Sequence, residues 1–206
     1  MPRAFTAVEK ETIRSRLMAA GRTCFLRYGL KKTTIEDLVK PAGVAKASFY
    51  LFFASKEDLY VELFLQEMPA MIDRLLDVSF RSTSDMREAL VRLMKAIVHE
   101  IETNEMSRIL LDDPSELQRL ADALKYDEIL ARSAASFAPI IEAIAEAQAR
   151  GEIIEGDPFQ ITYSLGLVKL LPVNRDRIPA ELYDAMIDFA PRIIADGLTC
   201  PARKGT

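Results

Sequence analysis

Between Thr34 and Lys56 the chain carries a threonine hydroxyl, three lysine amines and a tyrosine phenol, with small residues among them. These are donors that phosphates and base edges accept. Thr34, if it opens a helix, can turn its hydroxyl and a backbone N–H toward a phosphate, because free amides and the helix dipole favour anions there. Tyr50 suits a phosphate through its phenol, and Lys56 through its ammonium. Lys46 suits a base edge, since lysine donates to guanine O6 and N7 in the major groove. Ala45, Ala47 and Ser48 are small enough to approach bases, with Ala47 placed for a thymine methyl. Lys31 and Lys32 are candidates for neighbouring phosphates. Each assignment competes with a plainer one: a threonine before a helix is often only a cap, and a surface lysine often only solvated.

Such chemistry needs two short helices and a tight turn, and residues 33–60 read that way. Thr33-Thr34 supplies an N-cap, with Glu36 and Asp37 in the first turn where the dipole favours acids. Ile35, Leu38 and Val39 face a core. Ala42-Gly43-Val44 makes the turn, and Ala45–Tyr50 the second helix, in the helix-turn-helix pattern that places its second helix in the major groove. Val44 and Phe49 are expected to lock that helix onto its own core. Ser55, followed by Glu57 and Asp58, caps a further helix. Pro41 stands out, because it lacks an N–H and disfavours helical dihedrals at Lys40. An early end to the second helix, with a tilt of the third, is the expectation.

These residues carry a resemblance. Phe25 and Gly29, Thr33-Thr34, Ala42-Gly43-Val44, Ala45-Lys46-Ala47-Ser48-Phe49-Tyr50, Phe53, Ser55-Lys56-Glu57 and Leu59 stand in the order found in the TetR family of one-component transcriptional regulators. The resemblance covers about residues 5–65. It implies a helix-turn-helix head on a helical body that forms dimers and binds a small molecule, with binding shifting the two heads apart.

Charge is divided in keeping with that layout. Residues 1–60 hold 11 Lys or Arg and 6 Asp or Glu, whereas residues 61–206 hold 16 and 25. A basic head on an acidic body suits a nucleic-acid-facing module attached to something that avoids nucleic acid. Two cysteines, Cys24 and Cys200, give neither a disulfide framework nor a metal spacing. Cys24 reads as a small buried hydrophobe, Cys200 as part of a tail. No apolar run approaches the roughly 18 residues of a transmembrane helix, and Met1-Pro2-Arg3-Ala4 leads into a charged segment. Cytoplasmic residence without membrane association is expected.

Everything else reads as helix, giving an all-α fold: a helix-turn-helix domain over 1–54 and a helical effector-binding and dimerisation domain over 55–200. A first helix spans Val8–Tyr28 and stops at Gly29. Helices follow over Ser55–Val78 (kinked at Pro69), Met86–Glu102, two short pieces within 103–124, Tyr126–Arg150, 158–172, and one starting at Ile178-Pro179. Because 158–172 is apolar on most sides, it must bury more than one face. A homodimer seam through 158–197 accounts for this, and a deep core helix in a monomer is the alternative.

Phe64, Met68, Met71, Met94, Val98 and Phe137 are candidates for lining an effector cavity, against the alternative of ordinary core. His99, the single histidine, reads as structural, and neither metal nor cofactor is expected. Asp112-Asp113 and Glu116 suit either a cationic ligand or a solvated loop. The leading expectation is a homodimeric repressor released from an operator in double-stranded DNA by a small molecule. Two alternatives stay open: a helical interaction protein with a degenerate helix-turn-helix, and a helical-bundle enzyme. Against an enzyme stand the missing nucleophile–base pairs, phosphate-cradling loops and metal-spaced ligands.

Overall fold

Local signals set most helix ends. In the computed structural model, which describes residues 5–123 and 126–199, Thr6 opens the first helix, α1 (Ala7–Lys32), with a capping box to Glu9. Thr34 opens α2 (Ile35–Ala42) in the same way with Asp37. After α3 (Lys46–Phe49) come α4 (Lys56–Val78), α5 (Met86–Thr103), α6 (Glu105–Asp112), α7 (Pro114–Ala123) and α8 (Tyr126–Ala149). The chain ends in α9 (Pro158–Leu165), α10 (Leu170–Val173) and α11 (Ala180–Thr199), with 3-10 turns at Gly166–Lys169 and Arg175–Arg177. No strand occurs among the described residues, so the fold is all-α. Met1–Ala4 and Cys200 lie outside the described residues.

Two compact units result, one of Met1–Glu67 with Glu105–Arg132, the other of Met68–Asn104 with Ser133–Thr206. In the first, α1, α2, α3 and the start of α4 close around Leu17, Phe25, Leu38, Phe49, Leu59 and Tyr60, all at most 1% exposed. Phe25 meets the edge of Tyr60, with ring centroids 5.5 Å apart. Met106 of α6 joins this core, and its carbonyl accepts the Tyr60 hydroxyl. In the second unit α5 packs along α11. Arg87–Asp196 and Lys95–Asp188 ion pairs flank a core that includes Leu90, Met94, Val98 and Ala195. Glu102 Oε1 accepts from the Tyr183 hydroxyl and from Arg175, each at 2.6 Å.

Three expectations change. Pro41 does not end α2 early: the helix continues through it to Ala42. Proline at position 41 has no N–H for the carbonyl of Asp37, four residues back. The buried Cys24 thiol takes that place, donating to Asp37 O at 3.6 Å. The thiol's ionisation is pushed up by burial and then by the nearby Asp37 charge, so it stays protonated and able to donate. Secondly, α1 does not finish at Gly29. It kinks there, at φ 78 and ψ 168, and helical hydrogen bonding resumes to Lys32. Thirdly, 158–172 is not one helix. It breaks into α9, a 3-10 turn and α10, leaving Leu167 and Leu170 about 60% exposed (61% and 58%). On α11, Phe189 is 66% exposed and Ile193 53%.

Candidate nucleic-acid interface

Gly43 makes the turn between α2 and α3. It is left-handed, at φ 72 and ψ 31, and a Cβ there would meet nothing, so the backbone angle alone favours glycine. Its N–H donates to Lys40 O at 3.3 Å, and Val44 N–H reaches back to Val39 O at 3.2 Å, closing a Schellman-type end. α3 is a single turn, extended by turns in which Leu51, Phe52 and Phe53 donate to Ser48 and Phe49 carbonyls. Phe49 is fully buried and stacks at 5.7 Å on Phe53, which anchors the segment. Val44 is half-buried against the same core.

That anchoring leaves Ala45, Lys46, Ala47 and Tyr50 exposed, with Ser48 half-buried. Tyr50 stands at 55% exposure, its ring edge-on to Phe49 at 5.5 Å. Leu51 beside it is 68% exposed, an apolar side chain with no core to fill. Sequence reasoning passes over Leu51, because leucine in a helical pattern ordinarily marks a buried face. Lys46 Nζ donates to Glu36 Oε1 at 2.6 Å, joining α3 to the first turn of α2. Glu36 does not stand out in the sequence either, since an acid near a helix start has an adequate local reason to be there. Its carboxyl is held below the usual range, first by the Lys46 ammonium and then by its own backbone N–H. The Lys46 ammonium is raised by the same bond.

Two expected phosphate donors are already committed within the chain. Thr34 gives both its N–H and its hydroxyl to Asp37 Oδ2, at 2.9 and 2.7 Å, and Asp37 N–H returns to Thr34 Oγ1 at 3.3 Å. Thr34, expected to meet a phosphate, therefore spends both donors on the capping box that opens α2. Lys56 undergoes the same revision. Its ammonium donates to three backbone carbonyls, Leu30 at 2.6 Å, Lys31 at 3.0 Å and Thr33 at 2.8 Å. Those are all the protons it carries, so Lys56 secures the turn after α1 and has none left for a phosphate.

The turn it secures is closed from the other side as well. Gly29 lies in a backbone region that is essentially glycine's alone, and a Cβ there would come within 2.9 Å of Glu116 Oε1. That oxygen accepts the Lys31 N–H at 2.9 Å. Thr33, 1% exposed, donates its hydroxyl to Gly29 O at 2.7 Å. Glu116 is 4% exposed, so it does not belong to a solvated loop. Lys31 and Lys32 remain exposed on the outside of this turn.

The six residues considered for an effector cavity do not share a unit. Phe64 belongs to the first, while Met68, Met71, Met94, Val98 and Phe137 belong to the second. Met68, Met94 and Val98 are buried core, and Phe137 lies 5.5 Å from Tyr163. Two grooves on the first unit, one bordered by Arg14, Arg22 and Glu62 and one by Phe5, Val44 and Ser48, include none of the six. Among the described residues no three His, Cys, Asp or Glu side chains are grouped to hold a metal ion, and no helix is long and apolar enough to cross a membrane.

Comparison with known proteins places this geometry. Residues 17–63 match the family model for bacterial regulatory proteins of the tetR family. Over 116 residues, 56% of each chain, the protein is 31% identical to the HTH-type transcriptional repressor KstR2 of Mycobacterium tuberculosis. It is 34% identical to the fatty acid metabolism regulator protein of Bacillus subtilis over 64 residues, 31% of this chain and 33% of that one. The chain spans about half the length of the curated relatives that match it over the longest stretches, 57% and 56% for two of them. A TetR-family transcriptional regulator from Pectobacterium atrosepticum has the same fold, with a TM-score of 0.68 at 21% identity over 95% of this chain and 98% of that one. With the module's helices, turn and buried anchors in place over the matched residues, the segment 17–63 is similar to the regulatory module of the tetR family of bacterial proteins.

Proposed function

We propose that this protein is a sequence-specific DNA-binding transcriptional regulator, a homodimeric repressor that a small-molecule effector releases from its operator. The observation that carries this reading is the face of α3. Lys46, Ala47, Tyr50 and Leu51 are exposed together on a segment whose other side is pinned by the buried Phe49. In this reading Lys46 donates to a base edge, Ala47 and Leu51 touch thymine methyls, Ala45 and Ser48 allow close approach, and Tyr50 meets a phosphate. Repression is supported by the matched repressor from Mycobacterium tuberculosis.

One turn of recognition helix reads few base pairs, so two heads are needed for a site of useful length. The exposed Leu167, Leu170, Phe189 and Ile193 supply an apolar face within 158–197 for a second copy of the chain. The effector would bind in the second unit, for which Met68, Met71, Met94, Val98 and Phe137 remain the candidates. The fatty-acid regulator of Bacillus subtilis matches over only 64 residues, too short a stretch to carry its effector chemistry across.

Selection of bound sequences from a random DNA pool tests the reading. A two-fold symmetric site is expected, with half-sites about one helical turn or a multiple apart, and affinity should fall steeply with salt as counterions are released. Binding with no preference over random duplex would overturn it.

A further inference from the structure

We infer that Glu36 is a specificity-determining residue, whose carboxylate holds Lys46 away from DNA until a base edge offers the lysine better acceptors; this rests on the regulator reading above. Both partners lie on the proposed reading surface. The Glu36 and Lys46 side chains are 62% and 55% exposed, and the 2.6 Å bond between them spans the turn from α2 to α3. Asp37, the neighbouring acid, is occupied by the capping box with Thr34. Glu36 shares the first turn of α2, where the helix dipole favours an acid, but its carboxylate reaches out to Lys46 rather than closing the capping box.

A carboxylate on a DNA-facing surface acts on two complexes differently. Phosphates are the same at every sequence, so repulsion from Glu36 weakens all duplex binding alike. The hold on Lys46 depends on sequence. Phosphate neutralisation alone gives the lysine little reason to exchange a short charge-assisted bond, whereas guanine O6 and N7 present two acceptors together. Random duplex therefore meets a head whose one base-reading amine is masked, and the operator meets the same head unmasked. Discrimination is a difference of affinities, and Glu36 enlarges it by weakening the wrong complex more than the right one.

The test uses the full chain and its E36Q, K46A and double variants, each bound to the selected site and to random duplex of equal length. Glutamine keeps the shape and an oxygen for Lys46 but removes the charge. E36Q should tighten binding to random duplex by about five-fold and to the selected site by less than about two-fold, so that their ratio at least halves. Salt dependence on random duplex should steepen. In the K46A background the change in ratio should disappear.

Equal tightening on both duplexes would make Glu36 a general repulsive charge and overturn the masking role. So would the same change in ratio with Lys46 absent. A loss of affinity confined to the selected site, with a lost cytosine preference, would make Glu36 a direct reader instead. A wild-type chain that selects no sequence overturns the regulator reading and this role together. One that selects a site whose discrimination E36Q leaves alone overturns this role only.

Discussion

Lys46 and Lys56 stand ten positions apart in the same module, and their surroundings are opposite. The Lys46 ammonium reaches across solvent to one exposed carboxylate. Lys56 is half-buried, with three carbonyls of the turn after α1 around it. The same contrast holds for the regions they belong to. On the α3 face, side chains are exposed and the ion pair can exchange partners. At the Gly29–Thr33 turn, Lys56, Thr33 and Glu116 satisfy the backbone from several sides, and the kink tolerates no side chain at position 29. A residue type, even a cationic one in a basic head, does not by itself declare a DNA contact. Where its donors already go decides.

The sharpest way to break this comparison is at Gly29. G29A would force alanine into a glycine-only backbone region and press its Cβ on Glu116. A loss of about 3 kcal/mol is expected, read as a melting temperature lowered by roughly 6–12 °C, with the selected DNA sequence unchanged. A melt within about a degree of wild type would show that the turn is not the rigid region described. K56M comes next. It leaves three carbonyls without their donor and should lower stability by about 2 kcal/mol in denaturant titration. The selected sequence should again stay the same, and an altered one would move Lys56 back to the reading face.

Smaller still is D37N, and its effect is visible through pH. The Thr34 hydroxyl, then its N–H, hold the Asp37 carboxyl below its usual range. Its stabilising contribution is therefore complete above the unfolded carboxyl's pKa and is lost as pH falls through the lower folded value. Thermal melts from neutral pH to about pH 3 should show a shallower acid-side decline for D37N than for wild type. An unchanged decline would mean that the capping box does not couple to folding. At the bottom of the stability scale is K46A, expected to melt with wild type while its selected sequence changes at one position in each half-site. If instead it loses stability, or keeps its sequence preference, the two lysines differ less than their surroundings suggest.

Much of this architecture is legible in the residues alone, for local reasons. Thr34, Gly43 and Ser55 are caps or turn residues whose preferences act within a few positions, and helices begin or end beside all three. What stays hidden is non-local. Nothing near Lys56 in sequence announces that the carbonyls of residues 30, 31 and 33 converge on it. Pro41 reads as a helix terminator because its missing N–H is visible and the thiol covering the bared carbonyl, thirteen positions upstream of Asp37, is not. Apolar periodicity through 158–172 cannot show the 3-10 interruption at Gly166–Lys169 either. Glu36 and Leu51 escape notice because each has a satisfactory local explanation, and only the partner of the first and the exposure of the second reveal more.

Helices α6 and α7 follow α5 in the chain, yet they pack with α1 and the start of α4: the Met106 carbonyl accepts the Tyr60 hydroxyl, and Glu116 closes the turn at Lys31. This has a practical bearing on recombining regulators. A graft of residues 1–67 onto a foreign body would arrive with a buried phenol lacking its acceptor and a kinked turn lacking its carboxylate. The portable piece is two segments, 1–67 and 105–132, carried over together. Chimeras cut only after the recognised motif should express poorly even when every base-reading residue is present.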